Sequence, residues 1–113
     1  MTAIFDLDGA LERVDGDRSL LCELAGIYLD EAASLETAIT RALDQNDVGS
    51  AKRAAHTLKG ACANFCCSEL HEAAWAFEQM PASNPPEEVT IVYENLMRES
   101  KRLRQALQEV FSL

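Results

Sequence analysis

A chain of 113 residues, 48% apolar and 26% charged, is long enough for one hydrophobic core and too apolar to stay disordered. Its formal net charge of −9 disfavours nucleic acid and anionic lipid as partners of the molecule as a whole. No apolar run approaches the ~20 residues of a membrane span, and the opening MTAIFDLDG carries acids where a secretory leader has its basic region, so the chain is expected to be one domain, 1–113, in the cytoplasm.

Glycines number five and prolines three, which leaves long stretches free for helix. The first segment, IFDLDGALERV, has Ile4, Phe5, Leu7 and Leu11 as an apolar side. Gly16 and Asp17 interrupt it, and Asp17 suits the N-cap of a helix over 18–44. Within that helix Leu21, Leu24, Tyr28, Ala32, Leu35 and Ile39 recur at three- and four-residue spacing. DQND ends it, and Asp47 can cap a third helix over 48–65. Ser68 is expected to cap a fourth helix, to about 80, with Leu70, Ala73, Ala74 and Phe77 on one side. PASNPP reads as a loop, with Pro86 fitted to the first turn of a last helix over 87–111. No segment alternates as a strand would, and the connections are short. The expected fold is all-α: an antiparallel up-down four-helix bundle with a short N-terminal helical extension.

Charge is unevenly spread. From Val48 to Ser68 there is no Asp or Glu, while Lys52, Arg53 and Lys59 all fall there. His56, one of two histidines, sits among them. On a wheel of about 100° per residue, the apolar residues of the third helix centre about 200° from His56, so the imidazole points away from the core. A lone histidine on an apolar face would be packing material; this one is on the polar face. Lys59 at i+3 reaches the space above the ring, and Lys52 at i−4 lies on the other side. Gly60 removes the side chain that would stand beside it. A glycine inside a helix costs about 1 kcal/mol against alanine, and close approach of another molecule would offset that cost. An exposed nucleophile, an adjacent cation and a cleared landing area suit phosphoryl transfer through a phosphohistidine.

Other chemistry-bearing residues read more plainly. Cys22, Cys62, Cys66 and Cys67 are expected as reduced thiols. The C-x3-C-C-x3-H run ending at His71 has no trusted zinc spacing, so no metal is expected there. On the wheel Cys62 and Cys66 fall in the core, whereas Cys67 falls outside and is the thiol expected to oxidise first. His71 reads as a surface histidine, and Trp75 as a bundle-edge residue or an interface residue. Arg98, Lys101, Arg102 and Arg104 read as a solvated face late in the last helix.

AAHTLKGACANF resembles the signature of the histidine-containing phosphotransfer (HPt) domain family, A-H-x-L-K-G-x-x-x-x-[apolar]-G. FDLDGALERVDGD, YLDEA, the aspartate before the third helix and SEL after it are similar to that family too, so the resemblance covers nearly the whole chain. It implies a four-helix-bundle carrier that takes a phosphoryl group from the aspartate of one receiver domain and passes it to another. Such a carrier has no kinase activity and binds no cofactor, Mg²⁺ being expected on the receiver. Its partners would be receiver domains of response regulators or hybrid histidine kinases, with no nucleic acid, no membrane and a monomeric chain. His56 then corresponds to the phosphoacceptor, Lys59 to the phosphate-stabilising cation and Gly60 to the clearance residue. Glu31, in YLDEA, matches a position that holds a polar side chain near the histidine in some members, and a carboxylate there would orient the imidazole through its second nitrogen. Lys52 and Arg53 are expected in the surrounding shell. Docking is expected on Leu24, Ile27 and Tyr28 of the second helix and on Ala63 and Cys67 after His56, with Leu7 and Leu11 adding to it. The alternative is a helical adaptor with the same fold that docks receivers or other signalling proteins without carrying phosphate. One departure stands out: Cys66 occupies the place where the pattern has glycine.

Overall fold

The structure, a computed structural model, describes residues 4–113; residues 1–3 of the single-domain reading lie outside it. Five α-helices follow in order: α1 (Leu7–Glu12), α2 (Arg18–Asp44), α3 (Val48–Cys62), α4 (Ser68–Gln79) and α5 (Pro86–Phe111). A 3₁₀ turn, Ala63–Phe65, joins α3 to α4. Helix α2 packs on α3, α3 on α4, α4 on α5, and α5 back on α2, which closes an up-down bundle. Helix α1 lies across α2 and the 3₁₀ turn.

The starts of the helices follow from their caps. Asp17 accepts from the Leu20 amide at 3.0 Å and Asp47 from the Ser50 amide at 3.1 Å, each removing one orphan donor of a first turn. Asp6 does the same for α1 through the Gly9 amide. Pro86 opens α5, where its missing N–H costs nothing. Ser68 is not a cap, as the sequence suggested, but the first residue of α4; Cys67 holds the cap position with no side-chain bond. The core runs the length of the bundle, with Leu21, Ile39, Leu58, Phe65, Phe77 and Leu103 wholly or almost wholly buried. Side chains of this size each contribute about 1.5–3 kcal/mol by leaving water. Phe5 meets Phe65 edge-on with ring centres 6.5 Å apart, and this contact ties α1 to the end of the bundle.

Two expectations fail here for one reason. Regular helix stops at Cys62, not at Phe65, and the chain leaves the 3₁₀ turn through Cys66 in the left-handed region (φ 53°, ψ 51°). A helical wheel has no meaning beyond that point. Cys66, placed in the core by the wheel, is half-exposed, and Cys67, placed outside, is buried. Burial pushes the Cys67 thiol above its ordinary range, so it is neither a docking residue nor the thiol most open to oxidation. Cys62 is buried as expected, and burial, then neighbouring Cys67, pushes it up to about 12.

The basic run of α5 is also not uniformly solvated. Arg104 crosses to α2 and clasps Glu36 with two bonds, Nε to Oε2 at 2.7 Å and Nη2 to Oε1 at 2.9 Å. The buried Ser100 hydroxyl donates to Glu36 Oε2 at 2.8 Å. This polar cluster, with the 2.6 Å bond between the Thr40 and Tyr93 hydroxyls, fixes the register of α5 against α2. Arg102 instead pairs along its own helix with Glu99 at 2.9 Å.

Candidate functional site: His56 between α3 and α4

His56 stands near the middle of α3 with 71% of its side chain exposed. The core side of the same helix is Ala51, Ala55, Leu58 and Cys62, all fully buried, so the helix is held with His56 outward. The ring is not free, however. Its Nδ1 lies 2.5 Å from Oε1 of Glu78, on α4. Lys59 Nζ lies 2.5 Å from the other oxygen of the same carboxylate. Glu78 thus bridges the histidine and the lysine, and its own side chain is only 14% exposed.

Burial by itself would raise the Glu78 carboxyl. The Lys59 and His56 contacts, and the charges behind them, outweigh burial and hold it below its ordinary value. The carboxylate is therefore ionised at neutral pH, and an ionised carboxylate only accepts. Nδ1 must then carry the hydrogen, and in a neutral ring the lone pair falls on Nε2, on the exposed side.

Sequence reasoning assigned the orienting carboxylate to Glu31. The structure places Glu31 exposed on α2, with no hydrogen bond or ion pair among the described residues. The contact of Tyr28 with Phe65 sets the register of α2 against the 3₁₀ turn that follows α3. By that register His56 stands level with residue 37, and Glu31 is displaced about 9 Å along the axis. Glu78 was missed, although a signal existed. Helices α3 and α4 run antiparallel about a turn near Cys66 and Cys67, so the residue opposite His56 is as far beyond that turn as His56 precedes it. That residue is Glu78.

Neither Lys52 nor Arg53 bonds to His56. The Lys52 ammonium donates to the Met80 carbonyl and caps the C-terminal end of α4. Arg53 Nη2 donates to Ser50 Oγ at 2.8 Å, beside the Asp47 cap. With Lys59 neutralised by Glu78, the basic segment presents less free charge at His56 than its composition promised. Gly60 is exposed, and a Cβ added there would meet nothing within 4 Å, so its own fold does not require glycine.

The expected docking residues divide. Ala63 is exposed and Ile27 is 63% exposed. Leu24, Leu7 and Leu11 are half-buried against the core. Tyr28 is 3% exposed and packs on Phe65 with ring centres 5.2 Å apart, so it is a core residue. Its place on the apolar stripe of α2, spaced with Leu21 and Ala25, explains why. His71 is exposed, and no group of three or more His, Cys, Asp or Glu residues is arranged to hold a metal ion among the described residues.

The family model described as Hpt domain matches residues 23–112 of the chain, which include His56, Lys59, Gly60 and Glu78. The chain belongs to the Hpt domain family. This Hpt domain has the fold of histidine-containing phosphotransfer protein B (HptB) from Pseudomonas aeruginosa, whose crystal structure it matches with a TM-score of 0.85 over 99% of this chain and 97% of that one. The two share 14% sequence identity, so the likeness is one of backbone. No curated protein matches the sequence. No helix of the described residues is long and apolar enough to cross a membrane.

Proposed function

We propose that this Hpt domain is a phosphorelay carrier that accepts a phosphoryl group on Nε2 of His56 from a receiver-domain aspartate and passes it to another receiver. The observation that carries this reading is the bond from Nδ1 of His56 to Glu78, which turns the lone pair of an exposed imidazole outward. In the forward step the Nε2 lone pair attacks phosphorus. The N–P bond forms as the O–P bond to the aspartate breaks, and the electron pair of that bond leaves with the receiver's carboxylate. The ring becomes an imidazolium whose Nδ1–H still faces an anion, so Glu78 stabilises the charge that develops on it. Lys59, one turn from His56 and paired with the same carboxylate in the unphosphorylated protein, is the cation available to a phosphoryl dianion on His56. Return transfer runs the same step backwards onto a second receiver. The chain needs no metal of its own for this; Mg²⁺ belongs to the receiver.

Incubation with a phosphorylated receiver and Mg²⁺ tests the reading. Label should move to this protein as an acid-labile, alkali-stable adduct, and His56→Gln should abolish it. Equal labelling of His56→Gln overturns the assignment. An adaptor that docks without carrying phosphate would bind receivers and take up no label.

A further inference from the structure

We propose that Trp75 is a docking and specificity residue of the His56 face, covered by the receiver domain in the transfer complex, so that this face extends across α3 onto α4. The inference rests on the carrier reading above.

Of the large apolar side chains exposed among the described residues, Leu20 and Ile27 belong to α2, Ile91 and Val110 to α5, and Leu113 follows α5. Trp75 alone stands on the α3–α4 pair that holds His56, and it is 53% exposed. An exposed apolar residue is ordinary by itself; its position is what matters here. His71, Trp75 and Glu78 follow at four- and three-residue spacing and share one flank of α4. Both ends of that flank meet α3. Glu78 holds His56, and His71 lines a shallow depression with Cys62 and Ala63. Trp75 lies between them, alongside the stretch from His56 of α3 to Ala63 of the 3₁₀ turn.

Distance decides which exposed residues a partner must cover. Trp75 is three residues from Glu78, about 4.5 Å along α4. Ile27 neighbours Tyr28, which packs on Phe65, at the end of the 3₁₀ turn and nine residues past His56, so about 15 Å along the axis. A standard interface covers about 800 Å² of each partner, a disc of roughly 16 Å radius. With neighbouring helix axes about 8–10 Å apart, a receiver centred on His56 has Trp75 inside its footprint, at roughly 10 Å, and Ile27 only at or beyond the rim. An indole near the centre of an interface, on a rigid helix, is the kind of side chain that dominates binding.

The test uses the intact protein and the receiver that gives the fastest transfer among those encoded in the same genome. Trp75→Ala should raise the receiver concentration for half-maximal transfer about tenfold or more and leave the rate at saturating receiver unchanged. Trp75→Phe should recover part of the loss. Labelling by phosphoramidate, a small phosphodonor that needs no docking, should be equal in wild type and Trp75→Ala. Trp75 is the only tryptophan of the chain, so 5-fluorotryptophan incorporated here should show a ¹⁹F shift when unlabelled receiver is added. An unchanged half-saturating concentration, or no ¹⁹F shift, overturns the proposal. So does a matching loss of phosphoramidate labelling in Trp75→Ala, because Trp75 would then act on the site rather than on docking. Absence of His56 labelling from every receiver in the wild type overturns the carrier reading itself, and that outcome is read before any variant is compared.

Discussion

Gly60→Ala should make this protein more stable and a worse phosphoryl carrier. The glycine lies in the helical stretch of α3, where backbone entropy makes glycine cost about 0.5–1 kcal/mol against alanine. An added Cβ meets nothing within 4 Å, so no clash reduces the gain. Its φ is in the ordinary negative range, so alanine adopts it without strain. The variant should therefore gain about 0.5–1 kcal/mol in urea denaturation, or roughly 2–6 °C in Tm for a domain of this size. The same methyl stands one turn from His56, on the exposed side where an incoming receiver must bring phosphorus within bonding reach of Nε2. Holding the reacting atoms about 1 Å too far apart costs up to a hundredfold in rate, so transfer from a phosphorylated receiver should slow at least tenfold. Chemical denaturation and single-turnover transfer on the same preparation check both signs. Loss of stability would refute the geometry of α3, and full transfer activity would refute clearance as the role of Gly60.

Three further outcomes follow from other parts of the bundle. The Glu78 carboxyl is held below the ordinary 4.5, so its ionised form favours the folded state. That contribution is complete above about pH 4.5 and is lost as the pH falls through the lower folded value. The Tm difference between wild type and Glu78→Gln should be flat from pH 7 to 5 and shrink below that; a difference that widens in acid contradicts the ion-pair account. Arg104→Ala leaves the Glu36 carboxylate buried with only Ser100 for a partner, and should cost about 3 kcal/mol by urea midpoint. A loss under 1 kcal/mol would show that Glu36 reaches water when released. Cys66→Gly should stabilise by up to about 1 kcal/mol, since cysteine bears the left-handed conformation at a cost that glycine avoids. Destabilisation would mean that the packing of Cys66 Sγ near Gly9 outweighs the backbone term.

Periodicity carried most of the fold. The apolar stripe and Asp17 cap placed α2 over its observed range, and Pro86 marked the first turn of α5. The wheel correctly set Leu58 and Cys62 inside and His56 outside. It failed beyond Cys62, where a change of backbone from α to 3₁₀ to left-handed reverses the faces of Cys66 and Cys67. The cysteine that broke the glycine pattern adopts the left-handed conformation that glycine takes at least cost. Long-range pairs were the other gap. Glu36 with Arg104, and Glu78 with His56 and Lys59, join helices whose relative register no helical wheel contains. An antiparallel count across the α3–α4 turn would have supplied the second pair but not the first, because α2 and α5 have no short turn between them.

The central claim is that Nε2 of His56, turned outward by Glu78, carries the phosphoryl group. NMR of the protein with ¹⁵N-labelled histidine, phosphorylated by a receiver with Mg²⁺, tests it most directly. A phosphorus coupling on Nε2 of His56, with Nδ1 still protonated, is the predicted result. Phosphorus on Nδ1, on His71, or on neither histidine would contradict it.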